Sequence, residues 1–293
     1  MSRLFEGVHS FYSGNMGRMN REEQKRVILD LYSRYHDVSY LEWDPLSVIR
    51  EFRGTPDQEY VALVSALFAF GGVKQIIASV RQAVGRMKLV ESPGVLNQSE
   101  ETLTSVLRGF RHRIYVDRDL VQLTLLYQRS CLVYGSLKQQ FLHHHRQEDD
   151  TIEAGLRGVI AEYRKWSEAL HHIPGPHFGH MLNSPEGGST CKRWLMFLKW
   201  MIRPDDGIDL GLWAGEPSLP PRQLLIPLDT HLFKISKKLG LTRKKTANWM
   251  TAIEVTRNLA RIDPEDPTRF DFALCRFGML NYRGLVAKSS VLP

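Results

Sequence analysis

The chain has 293 residues, a formal charge of +7 and a calculated pI of about 9.3. Its apolar fraction of 43% and charged fraction of 24% are those of a folded globular protein, and the length allows one large domain or two of ordinary size. Cys131, Cys191 and Cys275 are far apart, odd in number and free of any CxxC pair, which argues against a disulfide framework and for buried thiols, and no apolar run reaches the roughly 18 residues of a membrane span.

The first 20 residues, rich in Gly, Ser and Asn without period, are expected to form a flexible arm ahead of a helical domain over 21–293. Val27, Ile28, Leu31 and Tyr35 predict an amphipathic helix from Arg21 to Tyr35. After a turn at Arg53-Gly54-Thr55-Pro56-Asp57, the segment EYVALVSALFAFGGVKQIIASVRQAV is first apolar on nearly all sides, as a central buried helix would be, and Gly71-Gly72 interrupts it. Leu120, Leu123, Leu126 and Tyr127 share one side of another helix, with Asp117 or Asp119 placed to cap it. The charged segment from His143 onward leads into a further helix, expected as an insertion on the outside. No strand alternation of useful length is present, so the expected class is all-α.

The most irregular stretch runs from Ile173 to Pro227 and contains the helix KRWLMFLKWMI. Loops of this length in a compact domain are more often functional than decorative. A glycine turn, SPEGGSTCK, opens that helix and sets Lys192 in its first turn. Such a turn exposes backbone N–H groups, and the positive end of the helix dipole favours a bound phosphate and a neutral lysine amine. A neutral amine is a nucleophile that needs a rigidly held carboxylate beside it. Asp229 fits that need: it follows the stiff lead Ile226-Pro227-Leu228 and opens a helix, Thr230 to Leu239, with Leu232, Ile235 and Leu239 inward. An aspartate at a helix start is also a plain N-cap, and spacing alone does not choose between the two roles.

The segment LLIPLDTHLFKISKKLG resembles the "VDTHVxRVxxRLG" segment of the helix-hairpin-helix, Gly/Pro-rich-loop, aspartate DNA glycosylases of the endonuclease-III and 8-oxoguanine-glycosylase type. Gly188-Ser189-Thr190-Cys191-Lys192 resembles their hairpin "GxGxK", with Thr190 at the second glycine position. LVSALFAFGGVKQI and GFRHRIYVDRDLVQL stand, in order, where those enzymes have "LLxxxLSxQT" and "GFxxxKAxxI". The chain also resembles an uncharacterised bacterial family set close to the archaeal 8-oxoguanine glycosylases. The resemblance spans roughly residues 60 to 240, and it implies a two-lobed helical fold with a hairpin at 184–202 and an aspartate loop and helix at 204–240. The gap of 37 residues from Lys192 to Asp229 is about double the usual one, so the loop holding Trp213 is read as an insertion.

By this resemblance Lys192 would attack C1′ of a damaged nucleotide and form a Schiff base, and Asp229 would assist its deprotonation. The implied activity is a DNA glycosylase and AP lyase that excises an oxidised purine from double-stranded DNA. The base must first leave the stack. Gly187, Gly188, Ser189, Thr190, His231, Lys234 and Lys238 would contact DNA, and Lys74, Gln75 and Trp213 would line the base pocket. No four-cysteine cluster follows Asp229, so no iron–sulfur cofactor is implied, and no other cofactor or metal is expected. A cytoplasmic, nucleoid-associated monomer is expected.

Lys199, two turns beyond Lys192, is the rival nucleophile, and as a mid-helix lysine it is expected to reach solvent or phosphate. Trp200 is read as core. His143-His144-His145 is read as a solvated cluster rather than a metal site. Two other classes stay open. A non-catalytic nucleic-acid-binding module would keep the hairpin and the basic helix; a metal-dependent nuclease would use Asp205, Asp206 and Asp209, which a polar turn explains more simply.

Overall fold

The computed structural model describes residues 19–89, 91 and 94–289. The expected N-terminal arm lies outside the described residues except for Met19 and Asn20. The helical class holds. The described residues form a succession of helices and one antiparallel two-residue pair, Arg111–His112 (β1) with Tyr115–Val116 (β2), in which Arg111 faces Val116. The pair was not foreseen, since two residues are too few to show alternation.

Helix α1, Arg21–Tyr35, has the predicted bounds. The Asn20 side chain accepts from Glu23 N while the Glu23 carboxylate accepts from Asn20 N, a reciprocal cap that satisfies two otherwise orphaned donors. A short α2, Leu46–Arg50, precedes α3, Gln58–Leu67, in which every residue but Glu59 is buried. That explains its lack of a polar face: α3 is surrounded, with α2, α4 (Val73–Arg86) and α9 (Lys192–Ile202) packed on it. Then follow α5, Glu100–Leu107, α6, Asp117–Tyr134, α7, Leu137–His144, and α8, Glu153–Ala169. At the start of α6 Asp119 accepts from Val116 N, while Asp117 accepts from Gly109 N. The chain ends in α10, Thr230–Lys238, α11, Trp249–Leu259, and α12, Asp271–Ser289.

Helix α8 corrects one expectation. It is no outer insertion, because Leu156, Val159, Ile160 and Tyr163 are fully or almost fully buried in the main core and α8 packs along α7. Its charged lead-in hid an apolar face. Gly155 and Gly158 permit the close approach: a Cβ on either would fall within 2.6 Å of the Phe141 or His144 side chain.

Buried apolar side chains fall into two clusters. The larger holds α2 to α9. The smaller joins Ile28 and Leu31 of α1, Ile226 and Leu228, α10, α11 and the first turns of α12. Ion pairs tie the two together through the loop after α9: Arg203 is held by Asp206, Asp209 and Asp266, and Asp206 also meets His36 at the end of α1. Among the described residues no helix is long and apolar enough to cross a membrane.

Candidate active site

The turn before α9 is built by its own side chains. Pro185–Gly187 form one 3-10 turn, Gly188 takes φ +71°, and Ser189 Oγ accepts from Cys191 N at 3.1 Å. Cys191 then adopts φ +48°, a left-handed conformation rare for a residue with a side chain, and its thiol reaches Asn183 O. This kink starts α9 at Lys192, as predicted. Gly187 and Gly188 are exposed, while Ser189 and Thr190 are half-buried.

Asp229 caps α10 in extended conformation, its Oδ1 accepting from Leu232 N at 2.7 Å. Its other oxygen, Oδ2, lies 3.6 Å from Lys192 Nζ. The carboxylate is therefore both a cap and a partner, one oxygen for each task. At 3.6 Å the pair is electrostatic but longer than an ordinary hydrogen bond, and both side chains keep some exposure.

Lys192 and Asp229 share a cavity of about 400 Å³ where the two apolar clusters meet, a size usual for small-ligand sites. Leu46, Ile76 and Trp200 line it from the larger cluster, and Leu232 from the smaller. Phe70 and Phe272 add aromatic wall, and Asp44, Lys199, Asp271, Cys275 and Arg276 add polar groups. His231 lines it as well, half-buried.

Lys199 corrects the expectation that it reaches solvent. It is 1% exposed, with Nζ 3.1 Å from Asp209 and 3.2 Å from Asp271. Burial disfavours its ammonium, but those two carboxylates outweigh burial and hold its pKa up at about 12. An amine so held is a poor nucleophile, and Lys192 is the better placed of the two. Burial also pushes Asp271 up, against the pull of Lys199, and pushes the Cys275 thiol up to about 12, helped by Asp229 and Asp271.

Trp213 departs from its expected place. It is buried in the larger cluster against Phe141 and Phe197, its indole N–H donates to Glu59 Oε1 at 2.7 Å, and it does not line the cavity. A glycine-rich loop suggests an open position; apolar burial and the carboxylate partner decide otherwise. Burial in turn pushes Glu59 up, against the hydrogen bonds from Trp213 and Tyr127. Lys74 and Gln75 are exposed and lie outside the cavity lining, while their neighbours Gly71, Val73 and Ile76 line it. Lys234, Lys237 and Lys238 are exposed along α10, with Lys237 Nζ 5.7 Å from the Phe233 ring centroid.

The acidic turn after α9 is spoken for: Asp205 pairs with Arg53, Asp206 with Arg203 and His36, and Asp209 with Lys199 and Arg203. Carboxylates neutralised in this way are poorly disposed to collect a cation. The three histidines diverge: His143 packs on Tyr134, His144 meets Glu162, and His145 is buried against Ser218 O and Gln223. Among the described residues no group of three or more His, Cys, Asp or Glu side chains is placed to hold a metal.

Residues 44–280 match the model of a family described as "Protein of unknown function (DUF2400)". The chain belongs to that family. Every residue lining the cavity, from Asp44 to Met279, falls inside the matched DUF2400 segment, whereas α1 precedes it. Neither a search among curated proteins nor one among solved structures gives a match.

Sequence reading missed Asp44, Phe70, Phe272, Cys275 and Arg276 as cavity residues. One signal was available: DFALCRFG, opening α12, mixes a carboxylate, a thiol and a guanidinium into a helix turn that is otherwise apolar.

Proposed function

We propose that the chain is a DNA glycosylase and AP lyase of helix-hairpin-helix type, acting on an oxidised purine through Lys192. The observation that carries this reading is the Lys192 Nζ to Asp229 Oδ2 distance of 3.6 Å in a cavity between two helical clusters, across 37 residues of sequence. A lysine–carboxylate pair that keeps some exposure at a cavity, each at the start of a helix, is the minimum that imine chemistry on a sugar needs. The charge of +7 and the exposed lysines of α10 favour a polyanion, and the exposed glycine turn supports a backbone phosphate beside α9.

In this mechanism the Lys192 ammonium passes a proton to Asp229 and the neutral amine attacks C1′ of an extruded nucleotide. The Nζ–C1′ bond forms as the bond from C1′ to the base breaks; the base leaves with the electron pair and takes the proton from Asp229. The attached nitrogen then loses a proton by way of Asp229 to O4′ as the sugar ring opens to the C1′=Nζ iminium. Loss of a C2′ proton expels the 3′ phosphate by β-elimination. The Asp229 carboxylate also offsets positive charge developing on the sugar, a role that a fixed group performs without reorganisation.

The test is borohydride reduction in the presence of duplexes carrying a panel of lesions, 8-oxoguanine among them. Hydride adds to C1′ of the iminium and leaves a stable amine, so a covalent protein–DNA adduct is expected. No adduct on any lesion would overturn the lyase reading. Cleavage of undamaged DNA that a chelator abolishes would point instead to a metal nuclease.

A further inference from the structure

Five of the six tryptophans are 2–8% exposed, whereas Trp43 is 50% exposed. A single exposed apolar residue needs no explanation by itself. Trp43, however, directly precedes the cavity residue Asp44, and its backbone is held. It ends the 3-10 turn Val38–Trp43, and Asp44 N closes that turn on Leu41 O at 3.0 Å. Arg276, from α12, donates to Trp43 O at 3.2 Å and to the Asp44 carboxylate, which also accepts from Leu46 N. Asp44, Leu46 and Arg276 all line the cavity, so the indole is presented by backbone clamped to the cavity wall. Lys74 Nζ, exposed at the start of α4, stands 5.7 Å from the indole centroid, and its neighbour Val73 lines the same cavity.

We propose that Trp43 and Lys74 form a nucleic-acid platform on the cavity rim, the indole stacking on a nucleobase and the ammonium meeting its phosphate. An indole offers a large flat surface that is indifferent to base identity, and stacking on such surfaces carries much of the affinity of sequence-tolerant single-strand contacts. An ammonium within reach of the ring favours the aromatic face and supplies the opposite charge to the strand. Because Arg276 holds both the Trp43 carbonyl and the neighbouring Asp44 carboxylate, little backbone ordering entropy is lost when the base docks. The platform rests on the proposed DNA reading but assigns a contact outside the reactive cavity, to a base other than the one that would be excised.

The full chain supplies its own probe, since Trp43 alone among the tryptophans is open to a solute quencher. A short oligothymidylate should protect the tryptophan emission from acrylamide, and an abasic oligomer with the same phosphates should not. Trp43→Phe should remove the quencher-sensitive component and keep binding near the wild-type value. Trp43→Ala should raise the Kd of a labelled oligomer about ten- to a hundred-fold. Lys74→Ala should weaken binding and lower its salt dependence. Emission that stays quencher-sensitive while DNA is bound, or an unchanged Kd in Trp43→Ala, would overturn the platform. Protection that grows with protein concentration without DNA would overturn it too, assigning the face to self-association. An adduct with unaltered DNA affinity in Trp43→Ala sinks the platform alone, and protection of Trp43 with no adduct on any lesion sinks the lyase alone.

Discussion

At the scale of the residue, Asp229 divides its carboxylate between Leu232 N and Lys192 Nζ, and that division makes its two roles separable. Asparagine caps a helix about as well as aspartate, so Asp229→Asn should change stability by less than about 1 kcal/mol in urea unfolding. The same variant removes the proton acceptor, and adduct formation should slow by about a hundredfold or more. Slowing accompanied by an equal loss of stability would reduce Asp229 to a cap. Lys199 makes the opposite case. Its ammonium neutralises Asp209 and Asp271 in the interior, so Lys199→Ala should destabilise by about 3–5 kcal/mol, read from the same unfolding curve. The Lys192 and Asp229 positions were legible in the sequence because glycine turns and helix starts are local features. The burial of Lys199 and Trp213 was not, because a lysine or a tryptophan in a local pattern carries no mark of the partners that distant segments bring.

How plainly an element shows in the sequence depends on its surroundings. Helices α1 and α9 took their predicted bounds since each has a sharp local start, Asn20 with its reciprocal cap and the kink at Cys191. Helix α8 resembles an outer insertion in sequence because exposed charges dominate it, whereas its buried stripe faces α7. The strand pair at β1 and β2 was too short to see. Loss of the α1 cap in Asn20→Ala should cost about 1 kcal/mol. Because α1 packs on α12, which lines the cavity, that loss should register in global unfolding rather than as fraying. Thermal unfolding followed by circular dichroism measures it; an unchanged midpoint would show that α1 is not coupled to the rest.

For the whole molecule, the feature that no local reading could supply is the meeting of two apolar clusters around a polar seam. Arg203 at the end of α9, Asp206 and Asp209 in the loop, Asp266 before α12 and His36 after α1 are distant in sequence and meet only in the fold. Burial raises the Asp206 pKa, but the hydrogen bond from His36 and the charge of Arg203 outweigh it, and the carboxyl is held well below its ordinary value of 3.8. A carboxyl lowered in the fold adds stability that is fully present above its unfolded pKa and is lost as the pH falls through its folded one. Wild type should therefore exceed Asp206→Asn in stability at neutral pH, and the gap should narrow below about pH 4. A gap that stays constant down to the acid limit would remove the seam from the forces joining the clusters.

The imine proposal places the reactive nitrogen at Lys192 and excludes Lys199, the other lysine that lines the cavity. The decisive measurement is therefore proteolytic mapping of the borohydride-trapped protein by mass spectrometry. The expected result is one modified peptide, carrying the reduced sugar on Lys192, that disappears in Lys192→Gln. A modification on Lys199 or on a surface lysine, or an adduct that persists in Lys192→Gln, would contradict the proposed mechanism.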